Sequence, residues 1–267
     1  MQKIRISRID VSNQTLKQKT DLVAEETPLH IFLNQIHYVA ILCSPNQLKE
    51  LAIGHLLSEG ILKSTDEILE IRWEENGKCL VRLKPDIDAE KRISISQPFS
   101  RLIVSACGSP DYWPLSKLID RISPVKLNLG FAVEAKIISE SVRKLHILAE
   151  KFRATGGVHI AALYSRSGEL LALSEDVGRH NAVDKVIGAG TANKLNLGNL
   201  FLALSGRLTG DIVLKAARMR IPIIASMAAA INSGVEAAQL TGVTLIGFVR
   251  GKRMNVYTYP ERILLKS

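Results

Sequence analysis

The sequence is poor in cysteine and has no long apolar run. Its three cysteines, Cys43, Cys79 and Cys107, are odd in number and far apart, which argues against a disulfide framework and against C-x-x-C zinc spacing. No apolar stretch approaches the ~20 residues that a helix needs to cross a bilayer. The alternating start, MQKIRISRID, has no apolar core of the kind found in signal peptides. We therefore expect a cytoplasmic protein with reduced thiols and no membrane contact.

The sequence also lacks a dense basic cluster, although the 267 residues carry a net charge of +9. That charge favours an acidic partner such as nucleic acid, a phosphate-bearing ligand or an acidic protein, or it is a generally basic surface without a specific partner. Lysine and arginine are spread along the chain with no run of five, and aromatic residues make up only 5%. The absence of clustered basic and aromatic residues counts against nucleic-acid binding.

Residues 1–97 are predicted to form a strand-rich α+β domain. The segment IRISRIDV alternates with period two, two strands flank Asn34-Gln35, and a hairpin turns at Asn76-Gly77. Ser44 is expected to cap a helix that ends near Gly60, with Gln47 completing a capping box. Cys43 and Cys79 fall in predicted strands, where a thiol most often serves as a small buried apolar group.

Residues 98–124 are predicted to connect this domain to a second one at 125–267. Prolines interrupt the whole stretch 86–124, which is predicted to have irregular structure. This stretch contains the loop SACGSPDYW around Cys107. From the residues alone, Cys107 is better explained as inert packing than as chemistry.

The second domain has the clearer pattern. An amphipathic helix is predicted over about 133–153, followed by two strands joined by a turn and then by apolar strands alternating with helices. The order α-β-β-α-β-α-β-α-β matches the three-layer cytidine-deaminase-like fold. The expected class is therefore α/β (α+β), with a deaminase-like C-terminal domain and a smaller strand-rich N-terminal one.

Zinc deaminase chemistry is not expected on this fold. Such enzymes carry H-x-E and P-C-x-x-C at the starts of two helices. The first place reads His180-Asn181-Ala182 here, and the second reads Ser205-Gly206-Arg207-Leu208. Neither the thiolate ligands nor the glutamate that shuttles protons is present, so we predict no metal.

Basic residues stand instead where strands end. Gly178-Arg179-His180 and Gly206-Arg207 each follow a predicted strand and open a helix, and GFVRGKR (247–253) closes the last long strand. Helix N-termini and arginines bind anions, and ligands of such sheets lie beyond the carboxyl ends of the strands. We expect a phosphate-bearing ligand there, with Asp184 orienting His180, whereas His159 is better explained as a core histidine.

With these segments in view, the chain resembles the FdhD/NarQ family of formate dehydrogenase accessory proteins. The resemblance covers nearly the whole chain, and the fourteen residues EDVGRHNAVDKVIG make its most specific part. The other matching segments are EETPLHIFLN, LAIGHLLSEGIL, SACG, TGGVHIAAL, SGR and GFVRGKRMNVYT.

This resemblance implies a zinc-free deaminase-like fold and a homodimer. It implies a sulfur carrier that accepts sulfur from a cysteine desulfurase and passes it to the Mo-bis(molybdopterin guanine dinucleotide) cofactor of formate dehydrogenase. The family loop reads C-G-x-C-G, whereas here Cys107-Gly108 matches the first half and Pro110 replaces the second cysteine. A one-thiol carrier remains, with Cys107 as the catalytic persulfide residue.

The resemblance also assigns the cofactor-binding residues. Its guanine-dinucleotide site falls on GFVRGKR, and the basic strand ends described above complete it. The resemblance implies Phe248, Val249, Arg250, Gly251, Lys252 and Arg253, and the anion-site pattern of the strand ends adds Arg179, His180 and Arg207.

Two other functions are compatible with the sequence. One is a chaperone that binds the molybdenum cofactor without transferring sulfur, which the missing second cysteine favours. The other is a nucleotide or nucleic-acid binder on the same scaffold, which would bind RNA or DNA with strong salt dependence.

Overall fold

The N-terminal third is built from two sheets and two helices. The computed structural model describes residues 1–100, 127 and 130–265, and leaves out the side chains of 95–100. The strands are β1 (Gln2–Asp10), β2 (Thr15–Val23), β3 (Thr27–Leu33), β4 (Ile36–Cys43), β5 (Ile68–Glu74) and β6 (Lys78–Leu83). The helices are α1 (Leu48–Ser58) and α2 (Ala89–Ser100). No helix in the described part of the chain is long and apolar enough to span a membrane.

Both predicted hairpins of this region are confirmed. β3 pairs with β4 around Asn34-Gln35, and β5 pairs with β6 around Asn76-Gly77, giving a sheet in the order β4-β3-β6-β5. Asn76 and Gly77 have φ angles of 64° and 73°, values that asparagine and glycine tolerate better than other residues. Cys43 and Cys79 are fully buried in the core between this sheet and α1, as predicted.

Two predictions for this region were wrong. Helix α1 begins at Leu48, with Gln47 in the left-handed region and no side-chain cap, so Ser44 does not cap it. Ser44 is instead bound to residues far along the chain, as described below. The stretch 86–124 was predicted to be irregular, but α2 occupies Ala89–Ser100, where Asp88 Oδ1 accepts a hydrogen bond from Lys91 N at 2.9 Å.

The C-terminal part forms a six-stranded sheet between two layers of helices. Its strands are β8 (His159–Ser165), β9 (Leu170–Asp176), β10 (Leu200–Leu204), β11 (Ile223–Ser226), β12 (Thr244–Arg250) and β13 (Arg253–Val256), in the order β13-β12-β11-β10-β8-β9. Short strands β7 (Val133–Glu134) and β14 (Ile263–Leu264) pair separately. The helices are α3 (Ala135–Leu148), α4 (Glu150–Thr155), α5 (Arg179–Ala192), α6 (Gly210–Arg218) and α7 (Asn232–Thr241).

This element order agrees with the prediction, and the core explains it. β10, β11 and β12 are parallel and almost fully buried, because α5, α6 and α7 pack on one face of the sheet and α3 on the other. The single helix predicted over 133–153 is divided at Ala149. The Glu175 carboxylate accepts hydrogen bonds from Lys151 N at 3.1 Å and Phe152 N at 2.7 Å, which begins α4 separately.

Candidate functional site

One edge of the six-stranded sheet gathers the residues predicted to bind an anion. Because β10, β11 and β12 are parallel, their carboxyl ends lie at the same edge. β8 runs antiparallel to β10 and begins there with His159, and β9 is antiparallel to β8, so it ends there with Asp176. Arg179 begins the helix after β9, Arg207 lies in the turn after β10, and Arg250 is the last residue of β12, so all three lie near this edge.

The first cavity at this edge has a volume of about 340 Å³. It lies where β8 starts and where β9, β10 and β11 end. Its walls are Phe152, Gly156, Gly157, Val158, His159, Val177, Ser205 and Met227. Apolar side chains dominate this wall, with the imidazole of His159 and the hydroxyl of Ser205 as polar groups, a composition typical of small-molecule sites.

His159 belongs to this cavity, so its interpretation as a core histidine was wrong. Its Nδ1 lies 3.4 Å from Ser205 Oγ, which also accepts a hydrogen bond from Ile160 N at 2.9 Å. Partial burial lowers the pKa of His159, and the nearby charges of Arg179, His180 and Arg207 lower it further. Burial and neighbouring positive charge thus both favour the neutral form of this imidazole.

Arg179 is positioned by a close contact between two turns. Gly206 packs against it so tightly that a Cβ at Gly206 would lie 3.1 Å from Arg179 Cβ. The Arg179 Nε is buried and has no hydrogen-bond partner among the described residues. A buried guanidinium nitrogen without an acceptor is costly in isolation, and an anionic ligand would satisfy it.

His180 contacts Asp211, not Asp184. His180 Nε2 faces Asp211 Oδ2 in the first turn of α6. Burial would raise the pKa of Asp211, but the hydrogen bond with His180 and its charge outweigh burial and hold this pKa well below the ordinary value. The expectation that Asp184 orients His180 is wrong, because Asp184 lies on the buried side of α5, which packs on α1 and α6.

A second cavity, of about 370 Å³, adjoins the first, with Met227 in the wall of both. It is lined by Ser139, Val142, Arg143, His146, Met227, Val249, Arg250 and Gly251. Arg250 Nε donates to Met227 O at 2.9 Å, and its guanidinium lies 5.5 Å from the centre of the Phe248 ring. Phe248 adopts a φ of 50° within an irregularity of the β12–β13 pairing.

The segment Phe248–Arg253 is thus only partly in the site. Val249, Arg250 and Gly251 line the second cavity, although Val249 is itself almost fully buried, whereas Lys252 in the β12–β13 turn and Arg253 at the start of β13 are exposed. Arg207 is exposed at the start of the turn to α6. Cys107 and its loop lie outside the described residues.

Sequence reasoning missed the helix α3 side of the site. Ser139, Arg143 and His146 recur at spacings of four and three, on the flank of α3 beside the apolar residues that attach it to the sheet. That polar stripe was visible in the sequence, but nothing in the sequence says which strand ends it faces.

Most of the segment EDVGRHNAVDKVIG lies outside the site, at the contact between helices α1 and α5, which we call the joint. At the crossing of α1 and α5, a Cβ on Gly54 would lie 1.8 Å from Asp184 O, and a Cβ on Gly188 would lie 1.9 Å from Glu50 O. The two helix backbones are therefore in direct contact, which only glycine at both positions permits.

Buried ion pairs complete this joint. Lys215 Nζ lies 2.8 Å from Asp184 Oδ1 and 2.5 Å from Glu59 Oε1, and His55 Nδ1 lies 2.9 Å from Asp184 Oδ2. Lys185 Nζ lies 2.6 Å from Asp176 Oδ2.

Ser44 links the second of these pairs to the N-terminal sheet. The Ser44 N–H donates to Asp176 Oδ2 at 2.9 Å, and the Ser44 carbonyl accepts from Lys185 at 3.0 Å. The joint therefore fixes the start of α5, and with it Arg179 and His180, relative to the N-terminal sheet.

The arrangement is chemically suited to a polyanion along the sheet edge. Arg179 and Arg207 supply positive charge close to His159 at one cavity and Arg250 supplies it at the other, and each cavity offers apolar surface for a ring. Among the described residues, no group of three or more His, Cys, Asp or Glu side chains is placed to hold a metal ion.

Comparison with known proteins gives a consistent picture. The chain is 36% identical over 96% of its length to the sulfur carrier protein FdhD of Methanothermobacter thermautotrophicus, covering 96% of that protein. It is 35% identical over 97% of its length to the protein of the same name from Saccharolobus solfataricus, covering 99% of it.

The fold also matches a crystal structure described as a formate dehydrogenase accessory protein from Desulfotalea psychrophila. The TM-score is 0.77 and the sequence identity is 29%, over 98% of each chain. The sequence model of the FdhD/NarQ family matches residues 24–264. The chain therefore belongs to the FdhD/NarQ family.

Proposed function

We propose that this protein is a sulfur carrier for the maturation of formate dehydrogenase. It takes sulfur from a cysteine desulfurase and delivers it to the Mo-bis(molybdopterin guanine dinucleotide) cofactor, which is its cargo. Similarity over nearly the full length to proteins named sulfur carrier protein FdhD supports the sulfur role, and the solved relative described as a formate dehydrogenase accessory protein supports formate dehydrogenase as the target. The cationic sheet edge, with a buried Arg179 Nε lacking an acceptor, is the observation that carries the cargo assignment.

Cys107 is the proposed carrier thiol. Its thiolate attacks the terminal sulfur of the desulfurase persulfide, so that a new S–S bond forms at Cys107 while the old one breaks. The desulfurase cysteine leaves as a thiolate, and Cys107 carries the extra sulfur. Transfer of that sulfane sulfur to the cofactor breaks the S–S bond and returns Cys107 to its thiolate, and the two electrons that bring the sulfur to the sulfide level come from the reduced molybdenum of the cargo. No second cysteine is needed, because the acceptor takes the place of a resolving thiol.

The described residues fit a guanine dinucleotide. Arg179, His180, Arg207 and Arg250 are suited to the pyrophosphate, and the cavities of about 340 and 370 Å³ offer apolar and aromatic walls for a base. Phe248, Val249, Gly251, Lys252 and Arg253 complete the proposed contact segment. The ligand would supply the acceptor for Arg179 Nε.

The proposal also covers the fold, the cellular location and the oligomeric state of the protein. We infer a cytidine-deaminase-like C-terminal domain after a strand-rich N-terminal one, because the order of strands and helices fits that fold. We place the protein in the cytoplasm, where its thiols stay reduced. We expect it to act as a homodimer.

The test is sulfur loading of the purified protein. The protein is incubated with a cysteine desulfurase and cysteine in the absence of reductant. The masses of its proteolytic peptides are then measured by mass spectrometry. We expect one additional sulfur on the Cys107 peptide, lost in Cys107→Ala. A Cys43→Ala/Cys79→Ala variant is the matched control and should load normally. No added sulfur, or sulfur only at Cys43 or Cys79, would refute the carrier role.

A second function is a cofactor chaperone that binds the molybdenum cofactor and does not transfer sulfur. Pro110, standing where the family loop has its second cysteine, is the observation that favours it. A Cys107→Ser variant that fully restores formate dehydrogenase activity in a strain lacking this protein would establish the chaperone and exclude the carrier.

A further inference from the structure

The first two strands form a hairpin that is largely uncovered. We call residues 2–23 the arm. Its nine residue pairs run from Gln2↔Val23 to Asp10↔Thr15 without a break, yet eight of the nine β1 residues and the first six of β2 are exposed. A two-stranded hairpin alone is marginally stable in water. An arm this regular is expected to be covered by another surface.

The arm carries apolar side chains at its tip and positive charge along its length. Ile9 and Leu16 are cross-strand neighbours and both are exposed, and Val11 in the turn is 85% exposed. The arm has five basic and two acidic residues. Within the part of the chain that the structure describes, Arg8 is the one cation of the five that forms an ion pair, at 3.5 Å from Asp21.

A complementary surface lies on the N-terminal sheet. Strand β5 is at the edge of that sheet, and no other described strand pairs with its outer side. Leu69 is 54% exposed and Trp73 is 39% exposed on this strand. Residues 64–90 contain eight acidic and four basic side chains, in a chain whose net charge is +9. Glu74 and Glu75, at the end of β5, form no ion pair with any described residue.

We propose that the arm of one copy packs along β5 of a second copy, so that two copies exchange arms. The dimensions agree, since nine residues of strand span about 30 Å and the seven of β5 about 23 Å. In this contact the arm adds to the edge of the sheet, Ile9 and Leu16 cover Leu69 and Trp73, and Lys17 and Lys19 face Glu74 and Glu75. Adding a strand to an open edge is a common mode of association.

A two-fold axis makes this contact twice and removes both exposed edges at once. The proposal names the contact surface of the homodimer proposed above, and it rests on that part of the proposed function. It does not depend on sulfur transfer.

The test uses charge reversal on exposed residues of the full chain. The molar mass is measured by light scattering over a concentration series for the wild type, for Lys17→Glu/Lys19→Glu and for Glu74→Lys/Glu75→Lys. We expect a dimer for the wild type and, for each variant, dimerisation weakened at least about tenfold. An equimolar mixture of the two variants should form a mixed dimer, because each arm then meets a β5 of opposite charge.

The control is Lys136→Glu/Lys144→Glu, which makes the same change on exposed residues of α3 and should leave the dimer intact. Circular dichroism checks that every variant is folded. A disulfide between differently tagged Leu16→Cys and Trp73→Cys chains, both in a Cys107→Ser background, would locate the contact directly.

A monomeric wild type, a dimer unaffected by both reversals, or a mixture that does not recover would overturn the arm exchange. Sulfur loading of Cys107 is measured separately on the same variants. A failed arm exchange with normal loading therefore contradicts only this inference, whereas absent loading in a normal dimer contradicts the carrier function.

Discussion

Lys215 Nζ lies 2.8 Å from Asp184 Oδ1, and both side chains are only about 1% exposed. Burial alone would raise the pKa of Asp184 and lower that of Lys215. The attraction between the two, with help from His55 and Glu59, outweighs burial, so the pKa of Asp184 is well below its ordinary value and that of Lys215 is above it. Both groups are therefore charged in the folded protein.

Replacing Asp184 by asparagine should strongly destabilise the fold. Lys215 and His55 then lose a carboxylate that they cannot replace with water, and breaking a buried pair in this way costs about 3–5 kcal/mol. The free energy of unfolding from urea titration measures the loss. Asp86→Asn, an exposed change, should alter it by less than about 0.5 kcal/mol.

The pH dependence of stability has a definite sign. Because the folded pKa of Asp184 is lower than the unfolded one, its contribution is complete above the ordinary carboxyl pKa of about 3.9 and is lost as the pH falls below that value. The wild type should therefore lose more stability on acidification through this range than Asp184→Asn does. Equal acid dependence in both proteins would contradict the assignment.

Gly188→Ala should destabilise the protein even though alanine is the better helix former. The added methyl would lie 1.9 Å from Glu50 O, so α1 and α5 must move apart. Overpacking of this kind costs about 1–3 kcal/mol, against a gain of up to about 1 kcal/mol in helix propensity. Thermal unfolding gives the comparison. Gly156→Asn is the control, because Gly156 has a positive φ that asparagine tolerates and no atom lies near its Cβ position. A normal melting temperature for Gly188→Ala would show that the two helices are not in contact.

Arg179→Ala should weaken binding of guanosine diphosphate, a fragment of the proposed cargo. Loss of a hydrogen bond to a charged group costs about 1.5–3 kcal/mol, which corresponds to a decrease of roughly ten- to a hundredfold in affinity. Titration calorimetry at low and high salt measures it. Arg179→Lys keeps the charge and should recover part of the affinity, whereas exposed Arg153→Ala should have no effect. Unchanged binding by Arg179→Ala would place the diphosphate elsewhere.

Cys43 and Cys79 should be unreactive in the folded protein. Burial raises the pKa of Cys43 to about 11, with a contribution from Asp176, and raises that of Cys79 to about 12. Alkylation by iodoacetamide at mildly alkaline pH, followed by mass spectrometry, should leave both unlabelled until urea unfolds the chain. Rapid labelling of either thiol before unfolding would disagree with the packing described here.

The fold was largely predictable because its strands are short, apolar and separated by clear turn residues. The hairpin turns at Asn34-Gln35 and Asn76-Gly77 were located from the sequence, as were the strands of the six-stranded sheet. The errors occurred where a distant residue decides a local boundary. Glu175 divides the helix predicted over 133–153, and Asp176 and Lys185 hold Ser44 away from the start of α1.

The site was predictable only in outline. Strand order explains why Arg179, Arg207 and Arg250 come to one edge, and that inference needs no side-chain geometry. The partner of His180 could not be found this way, because helical spacing points to Asp184 whereas the contact is made by Asp211 on another helix. His159 was misplaced for a related reason, since the start of a strand can lie in the core or at a cavity and the local sequence does not distinguish them.

The crossing of α1 and α5 constrains how this protein can evolve. Each glycine faces the backbone of the opposite helix, not a side chain that could shrink in response. A larger residue at position 54 therefore cannot be compensated by a smaller one at position 188, and no second substitution nearby restores the fit. Each of the two positions must therefore remain glycine independently of the other, even if the residues at the cationic edge of the six-stranded sheet diverge to suit a different cargo.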